Sequence, residues 1–199
     1  MSDAIWLLLD RIGTVIGLMT GVASVAAAAW AWVERNDLKR WLRRNTFGQV
    51  SLPLPEGSRF DALVVPVSKA DTPCWLIDTL RPAQIVLIAS AQSREAAETI
   101  QAHAKLTATT VAALHVLPDA DDAAAFRAQA TASILALRRS GASRVAVDVT
   151  GGKVPMSLGL FMAAEEAGAT TLYVSADFDP GLKSLRKGSQ RLVAVTTPN

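Results

Sequence analysis

Apolar positions follow two regimes along the chain. From Ile12 to Val33 there are 22 consecutive residues without a charge. As a helix this run is about 33 Å long at about 1.5 Å per residue, enough to cross a bilayer core. Beyond residue 58, short β-branched runs alternate with stretches of helical spacing. The runs predict strands at Ala62–Val67, Gln84–Ala89, Val111–Leu117, Arg144–Val149, Thr171–Ser175 and Arg191–Val195. The helical stretches are Pro73–Leu80, Ser93–Leu106, Asp121–Ser140 and Pro155–Ala167. Alternation of this kind predicts an α/β fold, a parallel sheet covered by helices on both faces, preceded by one N-terminal transmembrane helix. Gly48, Pro53, Pro55 and Gly57 interrupt both patterns. The division expected is a membrane segment with a basic flank at 1–44 (core 12–33), a linker or short packed arm at 45–59, and a soluble domain at 60–199.

The apolar run is extended by Ile5–Leu9 and bracketed by Trp6 at one end and Trp30 and Trp32 at the other, as interfacial anchors are. A cleaved signal peptide is the competing reading, since Ala26–Ala29 offers small residues. Asp3 and Asp10 against a single Arg11 make a poor positive leader, so a retained anchor is preferred. Arg35, Lys39, Arg40, Arg43 and Arg44 follow the run. The positive-inside rule then places the N-terminus outside and the C-terminal domain in the cytoplasm, on a single-pass protein. At about 100° per residue, Asp10, Thr14, Gly17, Gly21 and Ser24 share one stripe, with Gly13 at its edge and bulky residues opposite. A small, polar stripe predicts close helix packing in an oligomer, and a stripe of this kind can line a pore.

Composition narrows the chemistry. A net charge of +2 is too small to argue for a nucleic-acid duplex as partner, and one cysteine, Cys74, excludes an internal disulfide. His103 and His115 stand at no metal-ligand spacing, so no metal site is expected. Both are read as structural, and no catalytic residue is assigned. Trp75 and Phe178 are candidates either for packing or for stacking on a base.

The chemistry concentrates at Asp148-Val149-Thr150-Gly151-Gly152-Lys153-Val154-Pro155-Met156-Ser157. A strand, a glycine turn and a helix start in succession aim backbone N–H groups and a helix dipole at one point, which suits a phosphate. Thr150 adds a hydroxyl and Lys153 a charge. Asp148 is expected to hold the Thr150 turn, and Pro155 fits a first helical turn. Neither a P-loop nor a G-x-G-x-x-G fingerprint is present. In a parallel sheet the ligand lies beyond the carboxyl ends of the strands. Ser68–Thr72, Ser90–Ser93 and Ala176–Asp179 would share that edge, and Ser93 reads equally as an N-cap alone.

Asp148–Ser157, set in this Rossmann-like order, resembles the CRISPR-associated Rossmann fold (CARF) domains over about residues 60–199. The resemblance implies a homodimer through this domain that binds cyclic oligoadenylate, cyclic tetra-adenylate being favoured over other rings. It implies Thr150, Gly151, Gly152, Lys153 and Met156 as ligand-side positions, with Ser68 and Ser90 beside them, and no cofactor. Many relatives carry a second lysine where this chain has Val154. With the N-terminal helix, the whole chain resembles transmembrane CARF effectors of type III CRISPR antiviral defence in the bacterial inner membrane. These imply a ligand-gated pore built as a dimer of dimers, a homotetramer that depolarises or permeabilises the membrane. The alternatives are a membrane-anchored ring nuclease that degrades the cyclic ligand, and a nucleotide-sensing membrane scaffold.

Overall fold

The computed structural model describes residues 3–33, 52–54, 57–179, 184–186 and 188–197. The chain forms two units, residues 1–46 and 47–199.

The first unit contains helix α1 (Asp3–Val33), 31 residues long, so the Ile5–Leu9 segment and Asp10 belong to the same helix as the charge-free run. Within it, Arg11–Trp30 is long and apolar enough to span a bilayer, with a mean hydropathy of 1.8 and no burial against protein. Length and composition support a membrane anchor or a signal segment equally. The Thr20 hydroxyl donates to the carbonyls of Ile16 (2.8 Å) and Gly17 (3.1 Å), so it needs no water inside an apolar stretch. Open space lies beside Gly13, Gly17 and Gly21. The basic residues from Arg35 to Arg44 and most of the 45–59 linker lie outside the described residues.

The second unit is a seven-stranded sheet in the order β1-β9-β6-β5-β2-β3-β4. Its strands are β1 (Leu52–Pro53), β2 (Ala62–Val67), β3 (Gln84–Ser90), β4 (Thr110–Leu117), β5 (Val145–Asp148), β6 (Thr170–Ser175) and β9 (Arg191–Thr196). A separate hairpin pairs β7 (Phe178–Asp179) with β8 (Ser184–Leu185). The five strands β6-β5-β2-β3-β4 are parallel. One edge departs from the wholly parallel expectation. β9 runs antiparallel to β6, because it returns through the hairpin rather than a helical crossover, and β1 pairs antiparallel with β9. Leu52 and Pro53, inside the stretch read as linker or arm, are thereby paired into the sheet.

Helices α2 (Asp71–Leu80), α3 (Arg94–Leu106), α4 (Ala123–Arg139) and α5 (Val154–Ala167) cover the sheet, a 3₁₀ turn at Ala91–Ser93 leading into α3. β2 is buried along its full length, so alternate residues feed two cores. Leu63, Val65 and Val67 join Leu76 and Ile77 of α2 and Ala97 and Ile100 of α3. Ala62 and Val64 join Phe126 and Ile134 of α4 and Leu160 and Ala163 of α5. The α4–α5 approach depends on Gly159, where a Cβ would lie 2.6 Å from the Ala123 carbonyl oxygen and 2.9 Å from Phe126 Cβ. Arg127 ties the same pair together by hydrogen-bonding Glu166 at 2.9 Å.

Candidate functional site

The chain leaves β2 for β3 on one side and reaches β5 on the other, so the winding of the sheet reverses between β2 and β5. At such a reversal the loops diverge and leave a crevice at the carboxyl edge. The ladder between these strands covers only Ala62–Val64 and stops short of Pro66. The Thr150–Lys153 turn, leaving β5, fills the resulting gap.

Both glycines of the turn are required by the turn itself. A Cβ on Gly151 would lie 2.9 Å from the Pro66 carbonyl oxygen, so only glycine lets the turn sit against the end of β2. Gly152 has φ +95°, and a Cβ there would also crowd Met156 at 3.1–3.2 Å. The Gly152 N–H donates to Ser68 Oγ at 3.1 Å, joining the loop after β2 to the turn after β5 across the reversal.

Asp148 holds the turn from beneath and is completely buried. One carboxylate oxygen accepts from the Thr150 N–H (3.0 Å) and hydroxyl (2.6 Å), and the other receives the Gly151 N–H at 3.4 Å. Burial raises the carboxyl above its ordinary range, against the opposing pull of these donors. The Thr150 oxygen also accepts the Val174 N–H at 2.7 Å, so it links the turn to β6.

The expected ligand-side residues differ in burial and in hydrogen bonding. Thr150 is committed inward on both its donor and acceptor sides, so it positions the turn rather than presenting a hydroxyl. Met156 is 1% exposed and lies under Gly152, because the first inward position of α5 must fill the core below the turn. Ser90 is buried too: its hydroxyl pairs with Ser93 Oγ at 2.9 Å and its N–H donates to the same atom, closing the turn into α3. Ser68 and Lys153 remain outward. Lys153 Nζ reaches Asp121 Oδ2 at 3.1 Å, both side chains being more than half exposed.

Asp121 escaped the sequence reading, which placed it at the start of a helix. The available signal was a run of carboxylates, Asp119, Asp121 and Asp122, directly after a strand at the carboxyl edge. Beside the turn an open groove of about 400 Å³ is lined by Val149, Thr150 and Gly152 and by Val154, Ser157, Leu158 and Phe161. Val154 (71% exposed), Leu158 and Met162 stand four residues apart and form an exposed apolar row on α5. His103 pairs with Asp78 at 2.8 Å, joining α3 to α2 away from the turn. Among the described residues no group of three or more His, Cys, Asp or Glu is placed to hold a metal.

No known family profile matches the chain, and no curated protein matches it in sequence. Solved structures do match. A type III CRISPR defence DNA nuclease activated by cyclic oligoadenylate aligns with a TM-score of 0.51 and 19% identity, over 65% of this chain and 20% of that one. The likeness is one of fold. Csm6 from Enterococcus italicus, bound to cyclic hexa-2'-fluoro-hexa-dAMP, aligns at 0.49 and 13% identity over 64% of this chain and 36% of its own. Can2 from Sulfobacillus thermosulfidooxidans, in complex with cyclic tetra-adenylate, aligns at 0.47 and 18% identity over 58% and 31%. The chain therefore spans between 20% and 36% of the length of these proteins.

Proposed function

We propose that the chain is a membrane-anchored sensor of the CARF type, in which the soluble unit binds a cyclic oligoadenylate beside the Thr150–Lys153 turn. The observation that carries this reading is the position of that turn. A cationic side chain and a helix N-terminus meet at the topological reversal of a parallel sheet, where anionic ligands bind. The fold shared with a nuclease activated by cyclic oligoadenylate supports the ligand class. The apolar wall from Val154 to Phe161 suits an adenine face, and we assign Ser68 and Lys153 to its phosphates.

Two further features extend the proposal. The exposed row Val154, Leu158 and Met162 is the surface we assign to pairing with a second copy, so that a two-fold symmetric ligand meets two turns. The apolar length of α1 and its glycine stripe support a bilayer anchor packed into a higher oligomer. There, ligand binding would favour one arrangement of the helices over another and open a pore.

The test is calorimetric binding of cyclic tetra- and hexa-adenylate to the detergent-purified full chain. One ring should bind, and Lys153→Ala should weaken it about tenfold or more, the scale of a lost charge-assisted hydrogen bond. Failure of both rings to bind would sink the proposal.

A further inference from the structure

The β4–α4 loop carries three carboxylates, Asp119, Asp121 and Asp122. Two of them serve their own loop. Asp119 accepts the Asp121 N–H at 2.8 Å, and Asp122 caps α4 by accepting the Ala125 N–H at 2.9 Å. Asp121 crosses to another element and engages Lys153 at 3.1 Å.

Lys153 is the residue directly before α5, where the helix dipole repels a cation. An anion placed there is favoured twice, by the ammonium and by the helix. The Asp121 carboxylate supplies an anion to the ammonium from within the chain. A ligand phosphate that engages Lys153 must displace it, and until it does so it meets the negative charge of Asp121 at the rim.

Resting on the sensor reading above, we infer that Asp121 is an intramolecular competitor for the phosphate at Lys153 and sets the ligand concentration at which the site fills. The contact is exposed, 58% at Lys153 and 62% at Asp121. An exposed pair is worth roughly 0–1 kcal/mol, so the competition is modest, up to about fivefold in apparent affinity, and reversible. A buried pair would shut the site, whereas an exposed one adjusts its threshold. The charge of the loop adds a second consequence: ligands that place less negative charge at this rim are penalised less.

The experiment compares the wild-type chain, Asp121→Asn, Lys153→Ala and the double variant, each as detergent-purified full chain. Cyclic tetra-adenylate, cyclic hexa-adenylate and inorganic pyrophosphate are titrated separately at low and high salt. Asp121→Asn should tighten binding two- to fivefold at low salt, the gain should shrink at high salt, and it should disappear when Lys153 is already alanine. An Asp121→Asn variant that binds no more tightly than wild type would overturn the inference. So would a gain of equal size in the Lys153→Ala background, which would reduce Asp121 to a contributor to the general field. If neither ring binds but pyrophosphate shows the Lys153-dependent gain, the sensor reading fails and the competition stands. If no probe binds any of the four proteins, both fail.

Discussion

At the scale of single residues, two carboxylates on the second unit respond to pH in opposite directions. Asp61, at the start of the sheet, accepts from the Ser143 N–H and hydroxyl and from the Arg144 N–H. These donors hold its carboxyl below the ordinary value of 3.8. Its stabilisation is present above that value and is lost as pH falls through the lower folded one. Asp148 is raised by burial, so the folded chain binds its proton more tightly than the unfolded chain does. Its contribution is greatest at low pH and falls as pH rises from 3.8 through the raised folded value. Melting temperatures across the acid range should therefore separate the two. Asp148→Asn removes a segment in which stability declines with rising pH, and Asp61→Asn removes one in which it increases. Identical pH profiles for both variants would refute the assignment. Thr150 gives a sharper test of the turn. Thr150→Val keeps the shape but strips partners from Asp148 and the Val174 N–H, a cost of about 1–3 kcal/mol by denaturant unfolding, and Thr150→Ser should recover most of it.

At the scale of elements, the placement of the turn depends on how α5 packs. Gly159 admits α4 to within contact of the α5 backbone. Gly159→Ala should overpack that junction at a cost of about 1–3 kcal/mol and lower the melting temperature by several degrees. An unchanged melting temperature would mean that the helices separate without penalty. The opposite face of α5 makes a different demand. Leu158 is 53% exposed, so Leu158→Glu should leave the fold intact while shifting the protein to a smaller species in multi-angle light scattering. A variant of unchanged mass would remove α5 from the interface.

At the scale of the whole molecule, we assign ligand binding to the second unit and the membrane step to the first. Gly17→Leu and Gly21→Leu fill the open side of α1. Ligand affinity should survive both, while ligand-triggered depolarisation of cells or vesicles should not. Loss of binding in these variants would contradict the separation. An intact mass that retains residues 1–33 would establish an anchor, and cleavage near Ala26–Ala29 would establish a signal peptide.

The sequence alone determined whatever depends on short-range patterning. β-branched runs such as Leu63–Val65 and Ile85–Ile88 can be buried on two faces only in a covered parallel sheet, and a 22-residue charge-free run has a length that needs no partner to be legible. The strand–glycine–helix character of Val145–Leu160 was equally local, as was Asp148 holding the Thr150 turn two residues away. Tertiary structure decided what depends on elements distant in the chain. It turned β9 antiparallel and added β1 to the edge, since strand direction follows from how the connection packs. It set Pro66 against Gly151 and Ser68 against Gly152, contacts more than eighty residues apart. It buried Met156 and Ser90, because the same helical or extended spacing serves a core and a rim equally well. It brought Asp121 to Lys153 across 32 residues, a pairing of charges that no spacing rule anticipates.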